Sequence, residues 1–175
     1  MKRIRRGVLG ATLLVLLVSP SVSAAESLDD TRLTLVRQHC VAAQATMQQV
    51  LRSDTAVRIN RGRSYEELIK LLAAFNSRAA LNTYDVSALV QTTSQIETEF
   101  DAFKSTWIGY ETSLKEGLRI RCQEQPQQFY DSLAKTRGLR ASLTGHIDNL
   151  GRQLDAYRQG FEDVRTRVAD REAAS

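Results

Sequence analysis

Two cysteines, two histidines and 20 Asp+Glu are the groups in this 175-residue chain from which a reaction or a ligand site would be built. A nucleophile needs a neighbouring base, and a metal needs several convergent His, Cys or carboxylate ligands. No His-Glu-x-x-His, Gly-x-Ser-x-Gly, phosphate-binding loop or Gly-rich dinucleotide turn is present. The acidic residues are interleaved with basic ones, as on a solvated helical exterior. A zinc site would have to combine His39, Cys40, Cys122 and His146, but His146 lies roughly 30 Å along a helix from the start of its segment at Pro126. The expectation is a non-enzymatic chain with no metal and no cofactor.

The cysteines have a better use. Cys40 lies 41 residues before position 81 and Cys122 lies 41 residues after it, with a connection expected around Ala79 to Thr83. An antiparallel hairpin turning there sets Cys40 opposite Cys122. A disulfide closing that loop stabilises a chain by about 4–5 kcal/mol in the chain-entropy model.

The elements that bring the cysteines together are read from periodicity. Apolar residues recur at alternating steps of three and four, the signature of helices packed with a left-handed supercoil. The first run has Leu33, Val36, Cys40, Ala43, Met47, Val50, Asp54, Val57, Arg61, Ser64, Leu68, Leu71, Phe75 and Arg78 on its seam. The second carries Val86, Leu89, Thr93, Ile96, Phe100, Phe103, Trp107, Tyr110, Leu114 and Gly117. The third carries Phe129, Leu133, Thr136, Arg140, Leu143, Ile147, Leu150, Leu154, Tyr157, Phe161, Val164 and Val168. These predict an all-α fold, an elongated antiparallel three-helix coiled-coil bundle, with helices over about 27–79, 85–124 and 126–171 and a short tail at 173–175. Ser27 and Asp85 are the expected N-caps, and Pro126 suits a first helical turn. Gly62, followed by the capping-box pattern Ser64-Tyr65-Glu66-Glu67, offers a break in the first helix; unbroken heptad phase favours continuity.

The same register levels Asp54 with Arg140, and Arg61 with Asp101 and Asp148. These polar exceptions in apolar seams are expected to pair and fix alignment, the alternative being that they turn outward into solvent. Phe100, Phe103, Trp107 and Tyr110 are expected to form an aromatic core, with the polar tips of Trp107 and Tyr110 reaching the surface. Gly138 and Gly145 share a face of the third helix, most simply as tolerated surface glycines.

Residues 1–24 have the three zones of a secretory signal: Met1-Lys2-Arg3-Ile4-Arg5-Arg6, an apolar stretch from Gly7 to Val18, and small residues ending Val22-Ser23-Ala24. Cleavage is expected before Ala25, leaving a single helical domain over 25–172; retention as an anchor helix is the alternative. The chain has 24 Lys+Arg against 20 Asp+Glu. Four of those bases, Lys2, Arg3, Arg5 and Arg6, lie in the signal, so the mature chain is formally neutral. A broad electrostatic surface for nucleic acid or anionic lipid is therefore not expected.

Arg37-x-x-Cys40, the Arg58–Arg61 basic spacing, Tyr84-Asp85-Val86-Ser87-x-Leu89, and Cys122 followed by Phe129, Leu133, Arg137 and Arg140 resemble secreted coiled-coil proteins of ultrasmall candidate-phyla bacteria such as saccharibacteria. The resemblance implies a Cys-stapled three-helix architecture and no assigned activity. The functional expectation is an exported rod at the cell surface, in the periplasm or outside the cell. It would act as an interaction or spacer module for a protein partner, and touch membrane only through an uncleaved signal. A holdase-like chaperone or carrier of apolar cargo is the alternative.

Overall fold

The computed structural model describes residues 28–174. The signal segment, the expected cleavage site and the Ser27 cap lie outside the described residues. Within them the chain is all-helical, a bundle of three long helices: α1 (Asp30–Leu81), α2 (Ser87–Arg119) and α3 (Pro126–Ala173). At 1.5 Å per residue their lengths are about 78, 50 and 72 Å. None of them is long and apolar enough to cross a membrane.

Local chemistry sets the helix ends. Asp29 caps α1, its carboxylate accepting the Arg32 N–H at 2.8 Å. At the other end, the Asn82 N–H donates to the Arg78 and Ala79 carbonyls, and Thr83 turns the chain with φ 67°. Asp85 does act at the start of α2, one residue upstream of the cap position. Its Oδ1 accepts from the Ser87 N–H at 3.0 Å and from the Ser87 hydroxyl at 2.7 Å. Those bonds hold the Asp85 carboxyl below its ordinary range.

The α2 helix stops at Arg119, five residues short of expectation. The cause is Gln44 on α1. Its amide donates to the carbonyls of Gly117 at 3.0 Å and Ile120 at 2.9 Å, supplying partners that a further helical turn would have provided. The turn that follows carries Cys122 back to α1.

The expected α2 seam is buried along its whole length, with Ser113 added. On α3, Phe129, Thr136, Leu143, Leu150, Tyr157 and Val164 are buried at steps of seven. The α1 helix runs unbroken through Gly62, but its seam slips. Up to Asp54 the inward positions follow the heptad; beyond it they are Arg58, Gly62, Tyr65, Ile69, Leu72, Asn76 and Ala79, with Leu68 and Phe75 of the expected row still half-buried and Phe75 against Phe161 at 4.9 Å between centroids. Val57, Leu71 and Arg78 turn outward, and Leu71 is 67% exposed. Three successive steps of four at 50–54–58–62 move the seam on by one residue, a stutter-like slip that takes up the drift between 3.5 and 3.6 residues per turn.

The α1 and α3 helices run parallel with α2 antiparallel between them. The Leu28 N–H reaches Gln127 Oε1 at the start of α3, while Arg171 near its end reaches Thr83 Oγ1. The two ends of the described chain therefore lie at opposite ends of the bundle.

Candidate functional site

The side chains capable of chemistry meet between the helices in successive layers. At one end, Cys40 and Cys122 are joined with their sulfurs 2.04 Å and their Cα atoms 5.8 Å apart; both residues are buried. Beside them the Gly117 backbone comes so close to α1 and α3 that an added Cβ would lie 2.7 Å from Met47 Cε and 2.9 Å from Ser132 Oγ. A larger residue there would have to displace the Met47 methyl and the Ser132 hydroxyl.

The next layer is built on Tyr110. Its hydroxyl donates to Asp54 Oδ2 at 2.7 Å, and burial, reinforced by this bond, pushes the phenol well above its ordinary range. Asp54 thus turns inward, but its partner is Tyr110 rather than Arg140. The Arg140 charge acts on the phenol from nearby, opposing its rise, and forms no ion pair within 4 Å among the described residues. Tyrosine on α2 wins because α1 and α2 pack closely at this level, whereas the longer Arg140 side chain stays in solvent. Adjacent to it, Glu111 Oε1 accepts from Thr55 Oγ1 at 3.1 Å and faces Arg58 Nε at 3.8 Å.

Arg61, Asp101 and Asp148 are not brought together. All three are exposed, and Asp101 pairs within its own helix with Lys104 at 2.7 Å. The stutter is the reason: it rotates Arg61 off the interface and puts Gly62 there instead.

The aromatic band is buried as expected, and neither polar tip reaches the surface. Phe100 and Phe103 stack at 6.2 Å between centroids, followed by Trp107 and Tyr110 at successive spacings of 5.7 Å. Trp107 is only 6% exposed, and its indole N–H has no acceptor among the described residues.

Between α2 and α3 lies a cluster that spacing alone did not reveal. His146 Nδ1 is 2.5 Å from Glu99 Oε1, and His146 Nε2 is 3.1 Å from Thr106 Oγ1. Asn149 Nδ2 donates to the same Glu99 oxygen at 3.1 Å. These bonds, the imidazole's first, hold the Glu99 carboxyl below its ordinary range. With Glu99 ionised and the imidazole neutral, Nδ1–H donates to the carboxylate and Nε2 accepts from the Thr106 hydroxyl. That is the hydroxyl–imidazole–carboxylate order hydrolases use to activate a nucleophile. Here the amide N–H groups around Thr106 are engaged within α2, so they are not available as oxyanion donors. The arrangement works as a clasp between two helices.

A third node sits nearer the hairpin turn. Asn76 Nδ2 donates to Thr93 Oγ1 at 2.9 Å and Asn76 Oδ1 accepts from Tyr157 OH at 2.8 Å, so one buried amide joins all three helices. Burial raises the Tyr157 phenol. Among the described residues no group of three or more His, Cys, Asp or Glu converges to hold a metal.

No family model matches the chain, and neither a curated protein nor a solved structure is significantly similar to it.

Proposed function

We infer that the protein is an exported, non-enzymatic helical rod that acts as an interaction or spacer module at the cell surface or outside the cell. One observation carries this reading: α1 and α3 run parallel, so the chain enters the bundle at one end and leaves it about 70 Å away. An even-numbered hairpin bundle of the same length would return its exit to its entrance. Disulfide linkage between Cys40 and Cys122 suits an oxidising compartment, in keeping with the export signal read in residues 1–24.

The test is photo-crosslinking in the producing cell from probes placed at the two ends, at Asp30 and Ala173, and on the flank at Lys115. A spacer gives protein adducts from the end probes, in the exported fraction, with the flank probe silent. Recovery in the cytosol, or adducts confined to the flank, would overturn the reading.

A further inference from the structure

Near the disulfide, α1 and α3 leave a slot between them whose walls are accessible. On α1, Leu35 is 51% exposed and Val36 and Ala43 are half-buried; opposite them on α3, Tyr130 and Leu133 are half-buried too. Cys40 and Phe129 are fully buried and back these walls from below. The space between the walls is about 270 Å³. A narrower stretch of about 130 Å³ continues toward Val50, and Arg137 borders both. The charge around them is one-sided: Arg137, Arg140 and His39 line the two stretches, and no acidic residue does. Over residues 25–175 bases and acids are equal in number, so this excess is local. Arg137 forms no ion pair within 4 Å among the described residues, and Asp54 beyond it is already held by Tyr110.

We propose that this slot binds a medium-chain fatty acid, its alkyl chain laid between α1 and α3 and its carboxylate held by Arg137. Two parallel helices make a straight aliphatic channel, which suits an extended chain. From Tyr130 to Arg137 is seven residues of α3, about 10 Å. At about 1.25 Å per carbon, from C–C bonds of about 1.5 Å, that spans about eight to ten carbons. Guanidinium meets a carboxylate through paired N–H donors, and Arg140 adds to the local positive potential. A second copy of the chain is a poorer occupant, because an isologous contact would bring another set of bases to a face that lacks acids. The site goes beyond the spacer reading, which requires no ligand.

Equilibrium dialysis of the oxidised protein against sodium decanoate, below its micellar concentration, is the test. Octanoate and dodecanoate vary the chain, and decyltrimethylammonium keeps the chain and reverses the charge. The expected result is saturable one-to-one binding of decanoate, with octanoate about tenfold weaker for the loss of two buried methylenes. Dodecanoate should gain no more than about twofold, because the slot fixes the length, whereas chains partitioning onto an apolar surface gain with every carbon. The cation should bind about tenfold more weakly than decanoate, and Arg137→Glu should remove that preference. Ala43→Trp fills the slot and should abolish binding, while Ala156→Trp on the solvent side of α3 should leave it unchanged. Absence of saturable binding, equal affinity for the decyl anion and cation, a full further gain with dodecanoate, or undiminished binding in Ala43→Trp would overturn the proposal.

Discussion

The α2–α3 pair and the α1 helix are held by different means. In α2, ten of 33 residues are buried, and they form one continuous face packed on α3, apolar except for Thr93 and Ser113. In α1 only Cys40, Met47, Asn76 and Ala79 of 52 residues are buried. The first region is secured by area removed from water, spread over many side chains. The second is secured at points: a disulfide, the Gln44 amide on the end of α2, the Asp54–Tyr110 bond, Tyr65 against Phe100 and Phe103, and the Asn76 node. A continuous core tolerates the loss of one contact, whereas a helix held at points does not.

The sharpest way to break this contrast is to remove the staple. Cys40→Ser together with Cys122→Ser should cost about 4–5 kcal/mol and lower Tm by on the order of 10–20 °C. Hydrogen exchange should show protection lost first from the Cys40 half of α1, with α2 and α3 retained. Equal loss from all three helices would mean that α1 belongs to the common core after all.

Asn76→Ala should come next, at about 2–3 kcal/mol, because it leaves a buried tyrosine hydroxyl short of an acceptor and opens a gap among three helices. Urea denaturation with and without the disulfide checks it. If α1 is held at points, the loss grows once the staple is gone; strictly additive losses would argue against that.

The smallest effect concerns the α2–α3 clasp and its dependence on pH. Glu99 has a carboxyl pKa below its unfolded value of 4.5, so its contribution is fully present above that pH and is lost as the pH falls through the folded value. Glu99→Gln should flatten the decline in urea midpoint between about pH 5 and 3, while leaving the unfolding free energy at neutral pH within about 1 kcal/mol of the parent. An unchanged acid limb would show that other carboxylates govern it.

Much of this was legible before any coordinates. The equal spacing of Cys40 and Cys122 about residue 81 already described the hairpin, because two residues joined across a turn must be equidistant from it. The 3–4–3 spacing of Phe100, Phe103, Trp107 and Tyr110 described the core of α2. The slip at Asp54 was not legible: Val57 and Leu71 are as apolar as Ile69 and Leu72, and only packing decides which row turns inward. The end of α2 was hidden for a related reason, since Gln44 acts from 73 residues away. The Glu99–His146–Thr106 clasp was closer to hand. The register that levels Arg61 with Asp101 and Asp148 also sets His146 level with Phe103, between Glu99 and Thr106. What periodicity could not supply is the rotation that points all three side chains at one another.

The covalent link at Cys40 has a mechanical consequence. A load carried between the two ends of the rod does not pass along the chain from residue 40 to 122. It crosses at the sulfurs and continues into α3, so the hairpin formed by the rest of α1 and by α2 is bypassed. Those 82 residues represent about 280 Å of contour at the reach of an extended chain. With the sulfurs joined, that length cannot be paid out under tension; with them parted, it becomes slack held only by the packing of α1.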